Sequence, residues 1–292
     1  MEVGIYGKTI KDNFVVHIKN LLARLQDASV HVSIYKSFYT HLKEKHQIPI
    51  SQVEVFEKRE DIKPSLDVLI SIGGDGTFLE LVSMVKDKGI PIAGINSGRL
   101  GFLANISRDE IGHAMDIILN KGYSTEQRTL IKLEAPLGES GEDRFALNEI
   151  TVQKNNTTMV TVHTYIDREY LNSYWADGLI IATPTGSTAY SLSVGGPIIS
   201  PTSKNFIITP IAPHTLTVRP LVVPDDKEIT LEIESRDSKY IASVDHRFEI
   251  FNTLHQIKIR KADYLINLVQ LPGTSFYSTI RNKLMWGLDR RN

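Results

Sequence analysis

The chain predicts two fold classes in succession, an α/β domain built on a parallel sheet and then an all-β domain. Up to about residue 122 short β-branched runs alternate with longer amphipathic ones, and beyond it strand-like runs follow one another across turn residues. Within the first part, "DVLISI" (67–72) is apolar throughout, as in a strand covered on both faces.

The first part opens with "VGIY" (3–6) as a strand, "DNFVVHIKNLLARLQD" (12–27) with helical spacing, and "VHVSIY" (30–35) alternating. After the apolar strand come "TFLELVSMVKDK" (77–88), a helix ended by Gly89, and the strand "IPIAGI" (90–95). Right-handed crossovers then place helices on both faces of a parallel sheet and a ligand crevice at the carboxyl ends of its strands, where residue 73 lies. The second part offers strands at "LIKLEA" (130–135), "FALNEITVQK" (145–154), "MVTVHTYID" (159–167), "GLIIAT" (178–183), "EITLEIE" (228–234) and "QIKIRKADY" (256–264). "SFYSTIRNKLMWG" near the C-terminus is helical again and is expected to pack back on the first domain.

Composition limits the partners. With 41% apolar residues in 292 the chain can bury a full core, and 33 basic against 34 acidic residues leave no global field for nucleic acid or an anionic membrane. The absence of cysteine excludes disulfides, thiolate metal sites and cysteine nucleophiles. No signal peptide is visible at the start and no apolar run reaches the roughly 20 residues of a membrane span, so a cytoplasmic protein is expected.

The strand-to-helix turn "GGDGT" (73–77) carries the first chemistry. Gly73, Gly74 and Gly76 permit positive φ and close backbone approach, and the turn opens into a helix whose first N–H groups are unpaired, an anion seat suited to phosphate, with Thr77 beside it. Asp75 would repel that phosphate unless its charge is used. It either coordinates Mg²⁺ that accompanies a nucleotide, accepts the proton of an attacking hydroxyl, or merely caps the helix. A dinucleotide fingerprint fails because Leu79 stands where its last glycine belongs, and a P-loop fails because Glu2 stands where its first belongs.

The second stretch, "DGLIIATPTGSTAYSLSVGGPIISP" (177–201), leaves a strand for a run of small and hydroxylated residues with one tyrosine. Short side chains let a flat ligand lie against backbone, hydroxyls give directional hydrogen bonds, and Tyr190 is placed to stack on a base, which fits adenine and ribose. The G-x-S-x-G of a serine hydrolase is absent. His41 and His46 are five apart, wrong for metal ligation from one face of an α-helix, and are expected on a solvated face.

With both stretches in view, the chain resembles the bacterial NAD kinases. The likeness rests on "GGDGTFL" (73–79), "INSGRLGFL" (95–103), "LNE" (147–149), "DGLIIATPTGSTAYSLSVGGPI" (177–198) and "PHTLTVRPLVV" (213–223), in the family's order. It implies the NAD kinase/diacylglycerol kinase-like fold: a Rossmann-like α/β domain over residues 1–120, with 268–292 packing back on it, and a β-sandwich-like domain over 121–267 that binds NAD, with the site between them. The family transfers the γ-phosphoryl of ATP to the 2'-hydroxyl of the adenosine ribose of NAD with a divalent metal, Mg²⁺ being expected, and assembles as homodimers or homotetramers.

Residue by residue, the resemblance makes Asp75 the general base, with Gly76 beside it at the NAD and Gly73, Gly74, Gly76 and Thr77 at the ATP phosphates. Asn148 and Glu149 meet the adenosine part and hydroxyls of NAD, Asp177 holds the nicotinamide end, and Thr188, Ala189, Tyr190, Ser191, Leu192 and Ser193 line the adenine pocket. Ala212 and Arg247 complete the NAD contacts, and no metal ligand is assigned.

The chain departs from the family at Glu80, at Trp175 and Ala176, and at "DHR", where Asp245, His246 and Arg247 replace a glutamine-type contact; His246 or Arg247 is expected at ligand phosphate or ribose. Two other functions share parts of this pattern. A lipid kinase shares the "GGDG" turn but needs an apolar tunnel where "TPTGSTAYSLS" offers hydroxyls, and a noncatalytic dinucleotide-binding regulator has no use for Asp75.

Overall fold

The computed structural model describes residues 1–98, 101–135 and 144–286. Two compact units result: one comprises Met1–Gln127 and the chain from Ile266 onward, the other Arg128–Leu265. Arg99 and Leu100 of "INSGRLGFL" and residues 287–292 lie outside the described residues.

The first unit begins with β1 (Glu2–Gly7), α1 (Val15–Asp27), β2 (His31–Tyr35), α2 (Lys36–Thr40) and β3 (Val53–Phe56). It continues through β4 (Val68–Gly73), α3 (Asp75–Val85), β5 (Ile92–Asn96) and α4 (Ile111–Leu119). All strand pairings are parallel, in the order β3-β2-β1-β4-β5, with Ile5 beside Ile70 and Ile72 beside Ile95. The strands are apolar on both faces because helices cover both. Helix α1 contributes Ile18, Leu21 and Leu25 to the core, and α4 contributes Ile111, Ala114, Met115 and Ile118, each set at the three-and-four spacing of one helical face. The chain works outward from β1 in one direction and from β4 in the other. The topological switch point, where open α/β sheets bind ligands, therefore falls at the carboxyl ends of β1 and β4.

Behind β5 the segment 101–106 doubles back. Ile106 donates its N–H to Gly94 O, and Asn96 donates to Ile106 O. The approach is close enough that a Cβ on Gly94 would stand 2.6 Å from Leu103 O and 2.7 Å from Ala104 Cα.

One expectation fails in this unit, and one conformational freedom goes unused. Gly73, Gly74 and Gly76 are not among the residues with positive φ, and Gly74 is extended at φ −104°, ψ −172°. Within the fold only Gly73 needs its missing side chain, since a Cβ there would fall on Thr77, and a Cβ on Gly74 or Gly76 would meet nothing within 4 Å. His41 and His46 are not on a solvated face: residues His41–Lys45 form a π-helical turn, whose i→i+5 bonding sets residues five apart over one another. The two Nε2 atoms are 3.2 Å apart, the His46 side chain is 6% exposed, and His41 Nε2 accepts the N–H of Ile10.

The second unit contains β6 (Ser124–Ala135), β7 (Arg144–Ala146), β8 (Glu149–Lys154), β9 (Val160–Ile166), β10 (Glu169–Ala176) and β11 (Gly178–Ala182). After α5 (Tyr190–Ser193) come β12 (Asn205–Ile211), β13 (Leu221–Pro224), β14 (Ile229–Glu234), β15 (Lys239–Val244), β16 (Arg247–Asn252) and β17 (Ile257–Gln270). One antiparallel sheet runs β13-β12-β11-β8-β15-β16, and β10, β9, β14 and β17 pair antiparallel in a second. Side chains of both form one core: Ile150, Val152, Leu179, Ile181, Phe206 and Ile208 meet Val160, Val162, Ile229, Leu231, Ile257 and Ile259. This is the sandwich arrangement of sheets with one inner face each.

The strand expected over 145–154 is interrupted at Leu147 and Asn148, which lie between β7 and β8. Their N–H groups turn to the Asp245 carboxylate instead of a neighbouring strand. From Ile266 the chain belongs again to the first unit, where Leu268 pairs parallel with Ile92 and α6 (Phe276–Leu284) follows, capped by the Ser275 hydroxyl accepting the Ser278 N–H. Lys283 Nζ lies 4.3 Å from the Phe102 ring centroid, tying α6 to the segment behind β5.

Gly94→Ala is expected to destabilise by about 1–3 kcal/mol in chemical denaturation, since backbone rather than a flexible side chain must yield. Amide exchange at Phe102, Leu103 and Ala104 should accelerate in that variant; unchanged protection would show that the segment adapts without displacement.

Candidate active site

The glycine turn follows β4 directly at the switch point. Gly74 precedes α3 and Asp75 is its first residue; Phe78 makes the first helical bond, to Gly74 O, so the N–H groups of Asp75, Gly76 and Thr77 have no helical carbonyl to serve. Gly74 and Gly76 are exposed, and a Cβ on either would meet nothing within 4 Å, so ligand atoms can reach the backbone. Gly73 is glycine for another reason: a Cβ there would fall on the Thr77 side chain.

Asp75 does not cap the helix. Its half-buried carboxylate accepts the N–H of Phe102 at 2.9 Å on Oδ2, and those of Leu103 at 3.1 Å and Ala104 at 2.9 Å on Oδ1. The side chain therefore points away from its own helix end and into the 101–104 segment. Gly101 closes that segment, its N–H on Ala104 O, and a Cβ there would collide with Asp75 Oδ1. These N–H contacts hold the carboxylate in one orientation, with two bonds on Oδ1 and one on Oδ2.

Glu80 accepts from Lys8 Nζ at 2.8 Å and from the Tyr6 hydroxyl at 3.1 Å. Burial, then the Glu80 charge, push the Tyr6 hydroxyl well above the usual tyrosine range, so it remains a donor. Lys8 immediately follows β1, and the chain thereby keeps a cation at the switch point despite the acidic residue on the helix.

In the second unit the expected residues divide between the two ends of β8. Asn148 and Glu149 lie at its start, both buried. Glu149 Oε2 is buried with no hydrogen-bond partner, while the Tyr190 N–H bonds to the Glu149 carboxyl group. Burial, reinforced by the Asp245 charge, pushes Glu149 up to about 8, so it carries its proton at neutral pH. Burial raises Asp245 as well, against the N–H groups of Leu147, Asn148 and Glu149 that favour its anion. Arg247 donates through Nη2 to Phe145 O at 2.6 Å, and His246 is exposed.

At the other end of β8, Asp177 Oδ1 pairs with Lys154 Nζ at 2.6 Å, and the Asp177 N–H is held by Ile211 O at 3.0 Å, next to Ala212. Ala212 has φ 43°, an αL residue without the usual glycine. Trp175 lies against His214, ring centroids 4.3 Å apart. Five residue steps separate Glu149 from Lys154, about 17 Å of strand.

At the Glu149 end of β8, just beyond β11, Thr185–Thr188 form a 3₁₀ turn leading into α5. Thr188, Ala189, Tyr190 and Leu192 are half-buried and Ser193 is exposed. Ser191 differs: it is fully buried and its hydroxyl bonds to Thr209 Oγ1 at 3.0 Å, so its side chain serves the fold. Sequence reasoning missed Thr183, Lys154 and the amides of 102–104; the last are backbone groups whose side chains reveal nothing of them.

The chain matches the ATP-NAD kinase N-terminal domain over residues 3–123 and the ATP-NAD kinase C-terminal domain over residues 147–271. It is 46% identical to an NAD kinase of Flavobacterium johnsoniae and 44% identical to one of Cytophaga hutchinsonii, in each case over 100% of both chains. Among solved structures it resembles a yeast NADH kinase complexed with NADH, with TM-score 0.87, 25% identity and 98% of this chain and 88% of the other covered. An NAD kinase from Archaeoglobus fulgidus in complex with ATP superposes with TM-score 0.76 and 26% identity, covering 98% of this chain and 99% of the other.

The proton on Glu149 makes a stability prediction. In the unfolded chain the group ionises near its ordinary value of 4.5, whereas the folded protein keeps the proton to about 8, so folding takes up a proton across that window. Its contribution is most favourable at low pH and declines as pH rises toward 8. Glu149→Gln should therefore gain on the wild type between pH 5 and pH 8, the Tm difference widening by about 4 °C or more. A difference independent of pH would contradict the buried-acid assignment.

Proposed function

The chain belongs to the ATP-NAD kinase family and phosphorylates NAD with ATP, and we propose that Asp75 is the general base for the 2'-hydroxyl of the adenosine ribose. The carrying observation is the orientation of its carboxylate, fixed by the N–H groups of Phe102, Leu103 and Ala104 beside a turn whose glycine backbone is open.

The amides of Gly74, Gly76 and Thr77 receive ATP phosphate, supported by the unserved N–H groups at the start of α3. Asn148 and Glu149 take the adenosine part of NAD, and the small-residue turn with Tyr190 lines the adenine. Asp177 and Ala212 take the nicotinamide end. The separation of about 17 Å along β8 suits an extended dinucleotide. In this proposal Arg247 contributes to NAD binding through its place beside Asp245 and Phe145, its guanidinium being partly committed to a main-chain carbonyl.

Phosphoryl transfer asks the protein for alignment and charge stabilisation more than covalent chemistry. Asp75 accepts the hydroxyl proton as the ribose oxygen bonds to the γ-phosphorus and the bond from that phosphorus to the bridging oxygen breaks to release ADP, while amides stabilise charge on the transferring oxygens. Among the described residues no group of three or more His, Asp or Glu side chains would hold a metal unaided. A Mg²⁺ ion would be carried by the ATP phosphates, leaving the Asp75 carboxylate to the 102–104 amides and the attacking hydroxyl. When bound, such an ion neutralises phosphate charge. No described helix is long and apolar enough to cross a membrane. A cytoplasmic homodimer or homotetramer completes the proposal, supported by Phe248 and Ile250, exposed on the edge strand β16.

Purified protein with Mg²⁺-ATP and NAD, read by a dehydrogenase that accepts only NADP, tests the assignment. Asp75→Asn should lower kcat by about 10²–10⁴ while the KM for NAD stays within about threefold. A variant with near wild-type kcat would remove Asp75 from the role of base.

A further inference from the structure

Leu147 and Asn148 interrupt the strand between β7 and β8, Glu149 opens β8, and every main-chain polar group in the three residues is accounted for. Their N–H groups converge on one carboxylate: Leu147 on Asp245 Oδ2 at 2.9 Å, Asn148 on Oδ1 at 2.9 Å, and Glu149 on Oδ1 at 3.2 Å. Their carbonyls are taken by Thr183 Oγ1 (on Leu147, 2.5 Å), Thr183 N (on Asn148, 2.8 Å) and Asp245 N (on Glu149, 2.9 Å). Two residues therefore hold the whole segment.

Their origin explains the arrangement. Strand β8 lies between β11 and β15, both antiparallel to it, so the residues just beyond the carboxyl ends of these neighbours arrive at the amino end of β8. Thr183 follows β11 and Asp245 follows β15, the latter at φ 52° in the turn to β16. With the main chain clamped from both sides, the Asn148 and Glu149 side chains spend nothing on holding it, and Glu149 Oε2 is left without a partner.

We propose that Asp245 is a positioning residue for NAD recognition, acting through Asn148 and Glu149 from one side of β8 while Thr183 acts from the other. This rests on the proposed role of Asn148 and Glu149 in holding NAD. A carboxylate is required because three donors converge: two oxygens supply enough lone pairs, whereas an asparagine has one acceptor oxygen and would turn its amide hydrogens toward an N–H. The αL backbone alone does not demand Asp, since Asn adopts it equally well.

Asp245→Asn separates the two possibilities, keeping the turn and removing the convergent acceptor. Steady-state kinetics with NAD and ATP varied separately should show the KM for NAD raised by about tenfold or more, with the KM for ATP moved by less than about twofold and the main effect on KM rather than kcat. Thr183→Val, which retains shape and loses the hydroxyl, should shift the same constant in the same direction, and serves if Asp245→Asn does not fold. Asn148→Ala and Glu149→Gln provide the reference. If neither alters the KM for NAD, the proposed role of Asn148 and Glu149 is wrong. If they raise it but Asp245→Asn and Thr183→Val leave it within about twofold of wild type, the positioning role is wrong. Equal losses for NAD and ATP in both clamp variants would make the clamp structural and overturn the proposal as well.

Discussion

A carboxylate that gathers the N–H groups of three consecutive residues is the interaction on which this site depends. Asp75 does so with Phe102, Leu103 and Ala104. Removing a carboxylate from water without partners is costly, and charge-assisted bonds to main-chain donors offset that cost while fixing direction. The same contacts order a segment that would otherwise be an irregular connection, and glycines at 94 and 101 allow it to lie that close. Asp245 repeats the device in the second unit with Leu147, Asn148 and Glu149. In each unit an irregular segment is held by an acid from a different element, so fold stability and site geometry draw on the same bonds.

Electrostatics in this protein are local. With 33 basic and 34 acidic residues no long-range field concentrates nucleotide, and binding must come from built positions. In the proposed reading the backbone amides at the start of α3 supply much of that, beside Lys8 held on Glu80. The Lys154–Asp177 pair is about one-third exposed and contributes little to stability. Its place at the far end of β8 matters more for where a ligand group would lie. Glu149 belongs to the opposite regime, buried enough to stay neutral at pH 7, with its Oε2 a buried polar atom without a hydrogen bond.

Strong local signals carried through from sequence to structure. "DVLISI" is β4, "GGDG" is the turn after it, and the apolar spacing of 12–27 becomes α1 preceded by a short 3₁₀ turn. The failures have physical causes. "FALNEITVQK" reads as one strand because nothing local announces that Asp245, almost a hundred residues on, will take the amides of its middle. His41 and His46 looked divergent under α-helical geometry and converge under a π turn. In the site, Asp75 was legible as chemistry but not as geometry: sequence suggested a cap or a base, and only the fold shows the carboxylate turned toward the 102–104 amides.

The central claim is that this fixed carboxylate meets one ribose hydroxyl. A crystal structure of the protein with NAD and a nonhydrolysable ATP analogue tests it most directly. The adenosine 2'-oxygen is expected within about 2.6–3.2 Å of an Asp75 carboxylate oxygen. A 2'-hydroxyl directed to another residue, with Asp75 bonded only to the 102–104 amides, would contradict it.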